Sequence, residues 1–121
     1  MQKQVKRTYK NTIITARCFL GNTIFHVTTE QKTTFVISAG IVGFKGSKRG
    51  TPQAAEDSAQ LVGKKLREQN LRKVILIFQG FSKARKSILK GLRKRKICIK
   101  KILDITSIAH NGCRVSCKSR K

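Results

Sequence analysis

The run Val74 to Phe78, VILIF, is unbroken apolar sequence of strand length, bounded by Lys73 and Gln79. Such a run marks a central strand buried on both faces of a sheet. Before it, from Pro52 to about Gln69, Ala55, Ala59, Val62 and Leu66 recur at three- and four-residue spacing. Ala54, Ser58 and Leu61 widen that stripe, and Lys64, Lys65 and Arg67 take other faces, which is the pattern of a helix laid on a sheet. After it, Lys83 to Lys96 carries Ile88, Leu89 and Leu92 on one side of an otherwise cationic helix. Ile97 to Thr106, ICIKKILDIT, then returns to strand pattern, with Ile97, Ile99 and Ile102 directed inward. Helix, strand, helix, strand in this order is the α/β class.

The first third supplies the rest of the sheet. Asn11 to Phe19, Thr23 to Thr29 and Thr33 to Ser38 are rich in β-branched residues and are separated by short polar or glycine-bearing turns. Three antiparallel strands are the economical reading. The expected fold is therefore α/β: a mixed sheet of about five strands flanked by two helices, with extended basic tails at both ends. Residues 1–10 are expected to form a basic arm, 11–106 a single α/β domain, and 107–121 a basic tail. At 121 residues and 39% hydrophobic content the chain suits one domain with a modest core.

Charge narrows the partner. The chain has 28 lysines and arginines against 5 acids, a net charge of +23. An excess of this size repels itself unless a polyanion neutralises it, and nucleic acid is the leading candidate. No run approaches the roughly 18 apolar residues of a spanning helix, so a membrane partner is not expected. The start, MQKQVKRTYK, has no apolar core of a secretory signal, and the four cysteines read as free thiols in a reducing compartment. His110, Cys113 and Cys117 have the spacing His-x2-Cys-x3-Cys, which lacks a paired Cys-x2-Cys knuckle and a fourth ligand; neither metal nor cofactor is expected.

The stretch Ser38 to Ala55, SAGIVGFKGSKRGTPQAA, brings Gly40, Gly43, Gly46 and Gly50 together with Lys45, Lys48 and Arg49. A basic glycine loop that runs into a helix start suits phosphate. Thr51 reads as N-cap, Pro52 as the first helical residue, and Glu56 and Asp57 as acids near the positive helix end. A nucleotide P-loop is excluded because Gly46 is followed by Ser47 rather than Lys. His26 has no neighbouring partner and reads as structural or RNA-facing. Arg85, Lys86, Lys90, Arg93 to Lys96 have almost no acids to pair with, which favours an RNA-facing helix. The acids Glu30, Glu56, Asp57, Glu68 and Asp104 show no convergence, so no catalytic residue is assigned. A phosphate-handling enzyme built on the glycine loop and a free nucleic-acid-binding protein stay as alternatives.

Three motifs, NTI at Asn22 to Ile24, the Ser38 to Ala55 stretch, and HNGCR at His110 to Arg114, occur in this order and spacing. On them the chain, from about Asn11 to Arg114, resembles the universal small-subunit ribosomal protein S-eleven family. The resemblance implies a structural component of the small-subunit platform that binds ribosomal RNA. It would sit near the messenger exit and E-site region, beside neighbouring small-subunit proteins, and not as a homo-oligomer. It also implies a three-layer mixed-sheet fold. By motif it implies RNA contacts at Lys45, Gly46, Lys48, Arg49, Gly50 and Thr51, at Arg85, and at His110, Asn111, Gly112 and Arg114. Charge adds Lys83, Arg93, Lys94, Lys118 and Arg120 to the expected RNA-binding set.

Two stretches depart from the family pattern. Gly80-Phe81-Ser82-Lys83-Ala84-Arg85 stands where Gly-Pro-Gly-x-Gly-Arg is usual, and Val115-Ser116 replaces a proline pair. High lysine and isoleucine content, a short N-terminal arm and divergent loops resemble an organelle-encoded member. A mitochondrial ribosome is favoured, with a plastid or an AT-rich bacterium as the alternatives.

Overall fold

In Thr12–Cys18 (β1) every second residue, Thr12, Ile14, Ala16 and Cys18, is buried, and the residues between them are not. That alternation is the signature of a sheet covered on one face only. A computed structural model gives the arrangement for residues 12–29 and 32–114. Positions 1–11, which include the expected N-terminal arm, 30–31 and 115–121, including Cys117, Lys118 and Arg120, lie outside the described residues.

Thr23–Thr29 (β2) pairs antiparallel with β1, and Lys32–Ser38 (β3) pairs antiparallel with β2. Lys73–Gln79 (β4) lies parallel to β1, and Cys98–Asp104 (β5) parallel to β4. The sheet order β3-β2-β1-β4-β5 makes β1, not the apolar β4, the middle strand. This is the expected mixed five-stranded α/β sheet.

The one-turn Ala39–Val42 (α1) and a 3-10 turn, Gly46–Gly50, precede the helix Pro52–Glu68 (α2). Thr51 caps α2 as its position suggests: its hydroxyl oxygen accepts from the Ala54 amide at 3.3 Å, and Pro52 takes the first position, where a missing N–H costs nothing. At the other end Asn70 turns left-handed (φ 59°) and the Leu71 amide returns to the Leu66 carbonyl at 2.9 Å. Ala84–Lys94 (α3) starts where the Ser82 hydroxyl accepts from the Ala84 amide at 3.0 Å.

Ala55, Ala59, Val62 and Leu66 from α2 and Ala84, Ile88 and Leu92 from α3 join Ile14, Phe25, Val27, Ile37, Val74, Leu76 and Phe78 in one core. Both long helices therefore cover the same face. Three expectations change as a result. The residues of the opposite face of β4, Ile75 and Ile77, are half-buried rather than enclosed, because among the described residues no helix lies over them. For the same reason the three-layer arrangement is not completed among the described residues. Ile102 stands beside Leu76 on the helix-facing side yet is 51% exposed, since β5 is an edge strand and has no covering helix of its own among the described residues.

Glu56 also differs from expectation. It is buried and its Oε1 accepts a charge-assisted hydrogen bond from Lys94 Nζ, which clips α2 to α3. That bond holds the Glu56 carboxyl below the ordinary glutamate range. Its position is set by this partner rather than by the helix dipole.

Candidate nucleic-acid interface

β1, β3, β4 and β5 all run the same way, so the segments that follow them gather at one end of the sheet. These are the turn at 19–22, the stretch 43–51, the loop at 80–83 and the segment 105–114. In open α/β sheets the region outside the carboxyl ends of the strands is where ligands find loops and helix starts together.

The basic turn is seated there by close backbone contact. A Cβ on Gly50 would lie 2.4 Å from the Leu20 carbonyl oxygen, so only glycine lets the 3-10 turn rest on the β1–β2 turn. The Thr51 hydroxyl donates to the Lys48 carbonyl at 2.7 Å and closes the same turn. Lys45 and every residue from Gly46 to Gly50 are exposed. Arg49 is partly committed, its Nε donating to the Phe44 carbonyl at 3.2 Å while the guanidinium packs over Gly40. Lys45 and Lys48 present their ammonium groups to solvent.

Gly80 makes the second close approach. It has φ 95°, and a Cβ there would stand 2.4 Å from the Cys18 carbonyl oxygen. Arg85 locks this loop: Nε donates to the Gly80 carbonyl at 3.1 Å, Nη1 to Asp104 Oδ2 at 2.9 Å and Nη2 to the Thr106 hydroxyl at 3.1 Å. The Gly80 amide donates to that same hydroxyl at 3.0 Å, and the Thr106 amide to Asp104 Oδ1 at 3.0 Å. The guanidinium also lies over the rings of Phe78 and Phe81, at 5.1 and 5.0 Å from their centroids. Asp104, the acid at a strand end, is thus an internal ion-pair partner.

The hydrogen bonds from Arg85, and then from Thr106, hold the Asp104 carboxyl well below the usual carboxylate range. Glu56 is shifted the same way by Lys94. A carboxyl depressed in the folded state stabilises it fully above the unfolded value, about 4, and loses that contribution as pH falls through the folded value. The melting temperature is therefore expected to fall on acidification below about pH 4. Asp104→Asn should show a smaller acid-dependent fall in circular-dichroism melts, and an identical pH profile would mean the ion pair carries no stability.

Among the expected RNA-binding residues, Lys45 to Thr51, Lys83 and Arg85 come together at this end. His110, Asn111, Gly112 and Arg114 are exposed and lie in the segment that leaves the end of β5 without regular structure. Arg93 and Lys94 do not join them: they lie in the last turn of α3, about 15 Å from its start at 1.5 Å per residue. Lys94 is moreover engaged with Glu56. His26 is half-buried on the uncovered sheet face, opposite Thr15 and Val36.

Sequence reasoning missed Phe19, Leu20 and Phe81, which are large, apolar and exposed at this same end. Phe19 reads as the last residue of a strand and Leu20 as a turn residue. The usable signal was a phenylalanine, Phe81, in a loop between two turn residues and next to a lysine-bearing helix start.

A family model described as Ribosomal protein S11 matches residues 3–120. The chain belongs to the ribosomal protein S11 family. It is 34% identical to the small ribosomal subunit protein uS11m of Prototheca wickerhamii over 98% of this chain and 96% of that one. It is 35% identical to uS11c of Oltmannsiellopsis viridis over 99% of each, and 33% identical to uS11 of Orientia tsutsugamushi (strain Boryong) over 96% of this chain and 84% of that one. As an S11-family protein the chain is a structural, non-enzymatic component of the small ribosomal subunit that binds its rRNA alongside other ribosomal proteins. Family membership sets aside the phosphate-handling enzyme.

Proposed function

We propose that this chain docks on small-subunit rRNA through the carboxyl end of its sheet. The observation that carries this reading is the 3-10 turn Gly46–Gly50, wholly exposed, basic, and seated on the β1–β2 turn by Gly50. Lys45, Lys48 and Arg49 meet phosphates while the turn and Thr51 set the register. Lys83 extends the surface, and Arg85 shapes it from below. His110, Asn111, Gly112 and Arg114, with Lys118 and Arg120 beyond them, continue it along the tail. Arg93 and Lys94 mark a second contact at the far end of α3.

Residues 11–106 act as one RNA-binding domain, and 1–10 and 107–121 as basic extensions of it. The protein works as a single copy in the subunit platform, near the messenger exit and E-site region, in the mitochondrial matrix. The lysine- and isoleucine-rich composition supports that compartment. Shape and backbone contact dominate recognition of this kind.

Co-sedimentation of tagged protein with small subunits through a high-salt gradient, from purified mitochondria and from cytosol separately, tests the reading. Retention in mitochondrial subunits is expected. A pool confined to the top of the gradient would overturn integration into the subunit, and retention only outside mitochondria would overturn the compartment.

A further inference from the structure

We infer that Phe81 is a stacking platform for an unpaired base of the RNA, held ready by Arg85. The inference rests on the carboxyl end of the sheet being the RNA surface and adds the kind of nucleotide it takes. Phe81 is 68% exposed, in the loop after β4, one residue beyond the Gly80–Cys18 contact. Its orientation is prepared, because the guanidinium over its ring is itself fixed by the Gly80 carbonyl, Asp104 and Thr106. A side chain ordered before binding loses little rotamer freedom when a partner arrives.

The ring does not stand alone. Phe19 follows Cys18, whose carbonyl touches Gly80, and Leu20 carries the carbonyl on which Gly50 rests. These contacts make one continuous surface from the basic turn to Phe81, with cations for phosphates at one side and a flat apolar face at the other. The surrounding charge favours RNA over a protein occupant: Arg17, Lys45, Lys48, Lys83 and Lys86 are exposed, and Asp104 is already engaged by Arg85. Bases within a duplex are already stacked on one another, so an exposed ring selects a nucleotide that is unpaired.

The test uses the full chain with a single-stranded RNA oligonucleotide and a fully paired RNA duplex as probes. Phe81→Ala and Phe81→Leu are both expected to weaken single-strand binding about 10-fold, the scale of one base stack, with an unchanged salt slope and unchanged duplex binding. Phe81→Trp should restore affinity, and its indole fluorescence should be quenched by the single strand and not by the duplex. Recovery with Phe81→Leu would show that only apolar bulk is needed and would overturn stacking. Unchanged single-strand binding in Phe81→Ala, while Lys45→Glu with Lys48→Glu loses affinity, overturns stacking and leaves the RNA surface standing. Loss in neither set removes the RNA surface as well. A photoreactive phenylalanine analogue at position 81 in assembled subunits should cross-link to rRNA; cross-linking to protein alone would overturn the inference in favour of a protein neighbour.

Discussion

Lys45→Glu combined with Lys48→Glu is expected to lower affinity for small-subunit rRNA by about 100-fold at about 0.15 M salt and to leave the fold intact. A phosphate that no longer meets a lysine keeps its condensed counterion, so the entropy of releasing that ion is forfeited, and the new carboxylates add repulsion. The dependence of log affinity on log salt should become shallower by roughly 1.5 to 2 for two phosphates. The pair is chosen because both side chains are exposed, whereas Arg49 also supports the Phe44 carbonyl, so its replacement would mix binding with structure. Melting should shift little, since surface substitutions usually change stability by no more than about 0.5 kcal/mol. Filter binding over a salt series reads both affinity and slope. If neither moves, the phosphates are held elsewhere and the turn has another role.

Phe25→Ala should cost about 3–5 kcal/mol, a large share of the roughly 5–15 kcal/mol that holds a domain together. Phe25 is fully buried on the helix-facing side, opposite Ala16 on one neighbouring strand and Ile37 on the other. Ala16 is too small to move into the space, so the cavity would persist. Ile77→Ala is the informative control. Ile77 lies on the face that has no helix over it among the described residues, and its loss should cost much less, about 1 kcal/mol. Urea unfolding in screening salt measures the two. Equal losses would show that the second face is as tightly enclosed as the first.

That contrast explains what the sequence could and could not disclose. The helix stripe at Ala55, Ala59, Val62 and Leu66 and the Thr51–Pro52 start were legible because they depend on spacing and on local hydrogen bonding. The five strands were legible from β-branched runs. VILIF misled because an apolar run says which residues avoid water, not how many helices cover them. Ile75 and Ile77 have no helix over them among the described residues. Ile102 failed for a related reason, since strand order makes β5 an edge and no local pattern encodes strand order.

At the site, the basic turn was legible because lysine, arginine and glycine announce their chemistry in sequence. The roles of Arg85 and Glu56 were not. Arg85 meets Asp104 across 19 residues, and Glu56 meets Lys94 across 38. Such partners are brought together only by the packing of α3 against β4, β5 and α2. In a chain with so few acids, two of them are engaged by cations that charge counting had assigned to RNA.

The lock between Gly80, Arg85, Asp104 and Thr106 also governs the chain that follows it. Thr106 becomes a fixed pivot, and residues 107–114 extend from it with a maximum reach of about 26–29 Å at 3.3–3.6 Å per residue. On the proposed reading, with the basic turn engaged on RNA, His110 to Arg114 can reach only sites within that radius. Their encounter is then intramolecular, at an effective concentration set by the tether and not by the amount of protein in the compartment. On the proposed reading, turn and tail act as one bivalent grip, and loosening the pivot would weaken it while leaving the lysines of the turn and the residues of the tail unchanged.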